Sequence, residues 1–391
     1  MKAGNAFLSG LGTTVFTRMS ALAAEHGSVN LGQGFPDEDG APDVVEAAAR
    51  ALLEGGTANQ YPPMAGLPAL RQAVAAHDAR FYGIDADWKT EVLVTSGATE
   101  ALADCLFGLI EAGDEVVLIE PLYDSYLPIV RLAGGVPRLV RLEPPLWELP
   151  RKALAAAFSD KTKLVVLNTP HNPSGKVFTR DELEFVAGLM ERHDAFAVCD
   201  EVYEHLLFDG RRHIPLMTLP GMRDRCLRIG SAGKTFSVTG WKVGYVTGAA
   251  KLLEPVVKAH QFVTFTTPPN LQKAVADGLG KEDSYFSGLA GRLQAKRDRL
   301  AQGLREVGFA VLEAAGTYFL TIDFRPVGFD GDDEAFCRHI TVEAGVTAVP
   351  VSAFYGEADI DHFARFCFCK KDAVLDEAVG RLKRHFGERG T

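Results

Sequence analysis

The chain reads as an α/β protein with a mostly parallel central sheet flanked by helices and a smaller α+β domain. Two observations carry that reading. Between about 91 and 231, short apolar runs alternate with amphipathic helical segments, the pattern of strands buried on both faces. After about 280 the rhythm changes to a long charged helix followed by alternating strands.

In order along the chain, residues 1–40 are Gly-rich, carry LGQGFPDEDGAP, and read as an extended arm rather than a helix. Asp43-Val-Val-Glu46 opens a helix in capping-box fashion, and Gly55-Gly56 ends it. Residues 67–82 form a second amphipathic helix. EVLVTS is a strand, and the helix after it places Leu102, Cys105, Leu106, Leu109 and Ile110 on one face. EVVLIE, KLVVLN, AFAVCD and CLRIGS continue the strand series, with a helix opened by Thr179-x-x-Glu182 between the second and third. A long helix covers 288–306, and GFAVLEA and TYFLTIDF follow as alternating strands. The expected division is an arm over 1–45 that joins the small domain, a large domain over 46–280 and a small domain over 281–391.

With 391 residues and 47% hydrophobic content, the chain can bury a large core. A net charge of -10 argues against nucleic acid as a partner, since phosphate backbones favour basic surfaces. Six cysteines show no CxxC and no framework spacing, so neither a metal centre nor a disulfide scaffold is expected. No apolar run reaches membrane-spanning length, and a cytoplasmic setting is the expectation.

The polar clusters sit where strands end, which is where open α/β sheets bind ligands. Ser96-Gly-Ala-Thr99 joins a strand to a helix, so its amides and hydroxyls can face an anion. The same run also reads as an ordinary capped turn. Asn168-Thr-Pro-His-Asn172-Pro-Ser-Gly175 is a rigid loop that can aim the Asn172 amide, with Asn172-Pro173 a candidate cis bond; it equally reads as a plain turn. Asp200 ends an apolar run, so its carboxylate needs a cationic partner or else caps the next helix. Lys234 stands in Ser231-Ala-Gly-Lys-Thr among small residues, which suits a Schiff-base lysine better than a solvated one.

Together these residues read as a site for pyridoxal 5′-phosphate. Lys234 would form the imine, Asp200 would pair with the ring nitrogen, Tyr203 would donate to the phenolic oxygen, and Ser231 and Lys242 would hold the phosphate. Arg365, in the alternating strand HFARFCFCKK, is a bidentate match for a substrate carboxylate, or else an internal salt bridge.

The motifs LGQGFPDEDG, NQYPP, SGATEAL, EPLYDSY, NTPHNPSG, DEVYEH, SAGKTFSVTGWKVGY, GTYFL and RFCFCKK, in this order, make the chain resemble the class I/II aminotransferases of fold type I. The likeness runs from about residue 11 to 385. It is nearest to the branch of methionine, kynurenine–glutamine and succinyldiaminopimelate aminotransferases. The resemblance implies that Tyr123 stacks on the cofactor ring, Asn172 bonds its phenolic oxygen, and Gly97 and Ala98 join Ser231 and Lys242 at the phosphate. It implies that Tyr61 reaches the phosphate of a neighbouring subunit, hence a homodimer with shared sites. It further implies that Arg365, Asn172 and the Gly34 backbone bind the α-carboxylate. Lys242 stands where many relatives carry arginine, and Thr266 where kynurenine-preferring relatives carry histidine. Phe262 and Phe265, with no arginine between Arg228 and Arg292, point to an amino acid with an uncharged side chain. N-succinyldiaminopimelate is the alternative substrate, with Arg18 or Lys2 available for its extra carboxylate. β-Elimination from cysteine conjugates is a further alternative.

Overall fold

The computed structural model describes residues 2–356 and 359–387, which divide into two compact units. The first comprises Met1–Gly34, Lys296–Glu313 and Tyr318–Thr391; the second comprises Phe35–Ala295 and Ala314–Thr317. From the sequence, the breaks were expected near 45 and 280. The second break falls inside one continuous helix, Asp283–Val307, which no local signal divides.

The amino-terminal segment is not an extended arm throughout. After a single turn α1 (Ala6–Ser9), helix α2 (Val15–His26) is capped by the Thr14 hydroxyl, which accepts from Thr17 N at 3.2 Å. Gly27 stops it with φ +57 in the left-handed region. Strand β1 (Val29–Asn30) then pairs in parallel with a later strand, with Val29 opposite Val346.

In the second unit, α3 (Pro42–Glu54) opens two residues earlier than expected and without a capping box. Ala41 is its N-cap and Pro42 its first residue, where the missing N–H costs no hydrogen bond. α4 spans Pro68–Tyr82. The chain then alternates β2 (Val92–Thr95), α5 (Ala98–Leu109), β3 (Glu115–Glu120), α6 (Tyr126–Leu132), β4 (Val136–Arg141), α7 (Arg151–Ala157) and β5 (Thr162–Asn168). It continues with α8 (Arg180–Arg192), β6 (Phe196–Asp200), β7 (Cys226–Ser231), α9 (Ala232–Thr235), β8 (Gly244–Gly248), α10 (Ala250–Val263), α11 (Pro269–Leu279) and α12 (Asp283–Val307). The expected Thr179/Glu182 capping box is present at α8.

The seven strands order β2-β8-β7-β6-β5-β3-β4, and β8 alone runs against its neighbours. β2, β3 and β7 are buried along their whole length, whereas the edge strand β4 is mostly exposed. That contrast explains the continuous apolar runs of the inner strands. Because β2, β5, β6 and β7 share one direction, Thr95, Asn168, Asp200 and Ser231 end at the same side of the sheet. Asn168 lies opposite Asp200 in register.

In the first unit, the strands Ala310–Val311 (β9), Phe319–Asp323 (β10), Val349–Pro350 (β12) and Phe363–Cys367 (β13) form an antiparallel sheet of order β12-β13-β10-β9. β11 (Val346–Thr347) is the partner of β1. Helices α13 (Asp333–His339) and α14 (Asp372–Gly387) complete that unit. No described helix is long and apolar enough to cross a membrane.

Candidate active site

The carboxyl ends of β2, β5, β6 and β7 frame a cavity of about 190 Å³ in the second unit. Its lining includes Gly97, Ala98, Tyr123, Asn172, Asp200, Tyr203, Ser231, Lys234 and Lys242, nine of the sequence-predicted site residues. Residues as far apart in the chain as Gly97 and Val243 meet there because parallel strands deliver their ends to one edge.

One end of the cavity is an anion cup. Gly97 has φ +82, a conformation open to glycine, and leads into α5 so that the first-turn amides face the cavity. Side chains are excluded at the turn: a Cβ on Gly244 would lie 2.6 Å from the Gly97 carbonyl carbon. A Cβ on Gly97 would lie 3.4 Å from the Lys242 Nζ, so that ammonium rests directly over the turn. Ser231 is buried and Thr239 stands close by, since a Cβ on Gly233 would meet Ser231 Oγ at 3.3 Å and Thr239 Cα at 3.1 Å.

The other end holds Asp200. Its Oδ2 accepts from the Tyr126 hydroxyl at 2.5 Å and its Oδ1 from the Val202 amide at 3.4 Å. Burial raises the Asp200 carboxyl above its ordinary range, and the Tyr126 hydroxyl, the Val202 amide and the Lys234 charge only partly offset it. Asn168 locks the neighbouring loop. Its amide nitrogen donates to the Asp200 carbonyl at 2.9 Å, and its Oδ1 accepts from the Asn172 amide at 2.7 Å. Asn172-Pro173 is cis. Lys234 lines the same cavity, half-buried on α9, with Nζ 5.6 Å from the Tyr203 ring centroid. Tyr123 presents its ring to the cavity, 5.7 Å from that of Tyr126, and burial pushes its hydroxyl upward.

These residues fit pyridoxal phosphate. A backbone cup with a hydroxyl and an ammonium suits the phosphate, a buried carboxylate suits a protonated ring nitrogen, and the Lys234 amine lines the same cavity.

Five residues expected at the site or on its substrate side are not among those lining this cavity. Tyr61 is 84% exposed and borders a surface cleft with Thr266, Thr267 and Asn270, its ring 5.6 Å from that of Phe265. Phe262 and Phe265 do not line the cavity either; Phe262 is 84% exposed. Gly34 and Arg365 belong to the first unit. Arg365 is 1% exposed on central strand β13, donates to the Gly32 carbonyl at 2.8 Å, and lies over the Phe319 ring at 3.9 Å. The Gly34 carbonyl accepts from the Tyr318 hydroxyl at 2.6 Å.

Sequence reasoning missed Tyr126 and Thr239, and named Thr99 and Asn168 only as parts of a turn and a loop; all four are lining residues. Tyr126 carried a usable signal, since a turn across Tyr123-x-x-Tyr126 brings the two rings near each other.

Comparison with known proteins agrees with this geometry. The family model for aminotransferase class I and II matches residues 27–382. The chain is 47% identical over 381 residues, 95% of each chain, to the probable N-succinyldiaminopimelate aminotransferase DapC of Mycobacterium tuberculosis. It is 41% identical over 374 residues, 96% of each chain, to methionine aminotransferase of Escherichia coli. The solved structure of N-succinyldiaminopimelate aminotransferase from Mycobacterium tuberculosis matches with a TM-score of 0.95 and 47% identity, over 98% of this chain and all of that one.

Proposed function

The chain belongs to the class I and II aminotransferases and works with pyridoxal phosphate, and on that premise we propose that it moves the amino group of an amino acid with an uncharged side chain, such as methionine, an aromatic residue or glutamine, to a 2-oxo acid. One observation carries the choice of side chain. The cavity lining holds two cations, Lys234 and Lys242, and both have other work. A substrate's second carboxylate would meet no further positive charge there, and burying an unpaired carboxylate is costly.

In this reading Gly97, Ala98, Ser231 and Lys242 hold the cofactor phosphate, and Tyr123 covers the ring. Asp200 keeps a proton on the ring nitrogen, steadied by Tyr126. Tyr203 and Asn172 bond the phenolic oxygen. Bound there, the cofactor supplies an electron sink for the charge left when the substrate Cα loses its proton. Lys234 Nζ would take that proton, and one amine there can serve as both base and acid. The family resemblance adds Arg365, with Asn172 and the Gly34 backbone, as the expected holders of the α-carboxylate.

Tyr61 reaches the phosphate of a second copy. The exposed apolar residues Leu53, Phe262 and Val263 support such a homodimer. No disulfide joins the six buried cysteines, which suits a reducing cytoplasm.

A second reading is N-succinyldiaminopimelate as donor, favoured by the 47% identity to the mycobacterial protein of that name. Arg18 would supply the extra cation, and it is available only by leaving its 2.7 Å pair with Glu334. Steady-state kcat/KM for methionine, phenylalanine, glutamine and N-succinyldiaminopimelate decides between the two. Uncharged donors should lead by about tenfold or more; a lead for the succinylated donor would overturn the first reading.

A further inference from the structure

The first two turns of α5 carry two acids directly behind the anion cup. The Glu100 carboxylate accepts from the Ser96 amide, the residue before Gly97, and Asp104 follows one turn later. Both are buried. Two buried carboxylates at the helix end that must receive a phosphate oppose the attraction of its amides.

His260 of α10 lies against both. Its Nδ1 is 2.8 Å from Glu100 Oε1 and 3.3 Å from Asp104 Oδ2. On the far side of the ring, Nε2 is 3.2 Å from the Met64 carbonyl. Each ring nitrogen therefore faces only acceptors, which an imidazolium satisfies and a neutral ring does not. His260 is fully buried, and the ring does not line the cavity. The same network reaches further: Ser96 Oγ lies 2.6 Å from Thr267 Oγ1, and the Thr267 carbonyl accepts from Gln272 Nε2 at 2.6 Å.

We propose that His260 is a positioning residue for the cofactor phosphate: held as an imidazolium, it offsets the negative charge of the Glu100–Asp104 pair and so lets the Ser96–Thr99 turn bind a dianion. The inference rests on the assignment of that turn as the phosphate cup. The electrostatics agree in direction. Burial opposes the charge on His260, but Asp104 and Glu100 outweigh it and push the imidazole up to about 9. Burial likewise works against the Glu100 carboxylate, yet His260 and the Ser96 amide hold it below its ordinary range. Asp104, with burial dominant, is pushed up to about 6.

The test compares retention of pyridoxal phosphate and of unphosphorylated pyridoxal by the full chain, followed through the visible imine band. His260→Gln should weaken pyridoxal phosphate about tenfold or more and leave pyridoxal within about twofold. Adding Glu100→Gln to His260→Gln should restore most of the loss, since it removes the uncompensated carboxylate that touches the Ser96 amide. If His260→Gln weakens both ligands alike and Glu100→Gln restores nothing, His260 is merely structural and the proposal falls. Should His260→Gln not fold, Glu100→Gln alone decides: the proposal expects pyridoxal phosphate held at least as tightly as in wild type, and looser binding overturns it. A wild-type protein that binds both ligands equally would instead sink the cup assignment itself, and the proposal with it.

Discussion

Tyr126 shows how much a single residue can decide. Its hydroxyl gives Asp200 the shortest of that carboxylate's two hydrogen bonds, in a pocket where burial already drives the acid upward. Removing it in Tyr126→Phe costs a hydrogen bond to a charged group, about 1.5–3 kcal/mol, or about tenfold to a hundredfold in kcat/KM. The sign of the pH effect follows. The lost donor had favoured the ionised form, so Asp200 protonates more readily. The acidic limb of the rate–pH profile should therefore move to higher pH, and an unmoved limb would detach Tyr126 from Asp200. Asp200, Lys234 and Ser231 were legible in the sequence because each ends an apolar run or sits among glycines. Tyr126 was not, because its partner lies 74 residues away and only the register of the folded sheet brings them together.

At the scale of elements, the anion cup depends on strand β8 approaching the turn before α5 without side chains between them. Gly244→Ala would push a methyl to 2.6 Å from Gly97. The backbone cannot yield there without opening the cup. Overpacking of this kind costs about 1–3 kcal/mol, and it should lower the melting temperature and shed cofactor at the same step. An alanine variant with unchanged cofactor retention would show that the close approach is dispensable. The strands and α8 were readable from apolar runs and a capping box that act locally. α2 was not read, because the glycines of residues 1–12 obscured the stripe Val15, Met19, Leu22 and Ala23 that begins just after them. α3 was placed two residues late because Asp43-x-x-Glu46 imitates a capping box, while the true opening uses Pro42 and no side-chain cap. The unit boundary inside α12 leaves no mark in the sequence, since a helix period continues unbroken across it.

Across the whole molecule, the sheet is braced by a buried charge cluster that the reaction does not use. Arg228, on β7, pairs with Asp78 at 2.6 Å, with Glu201 at 2.7 Å and with Glu204, and its guanidinium lies over the Tyr82 ring. Arg228→Met would strand three buried acids and should destabilise the fold by about 3–5 kcal/mol in denaturant melts. Burial works against the Glu204 charge, but Arg228 outweighs it and holds the carboxyl far below its ordinary 4.5. A depressed acid contributes its full stability above the unfolded value and loses it as pH falls further, so wild type should weaken steadily below about pH 4.5. A variant as stable as wild type would mean that the cluster is neutral in its net effect. The central claim concerns the cavity at the sheet edge, and one measurement addresses it most directly: the absorption spectrum of the cofactor-loaded protein as single amino acids are added without an oxo acid. Methionine or phenylalanine should convert the visible band to the near-ultraviolet pyridoxamine form, and Lys234→Ala should abolish turnover and leave that conversion undetectable. Conversion at wild-type rate without Lys234, or none with any amino donor in wild type, would contradict the account.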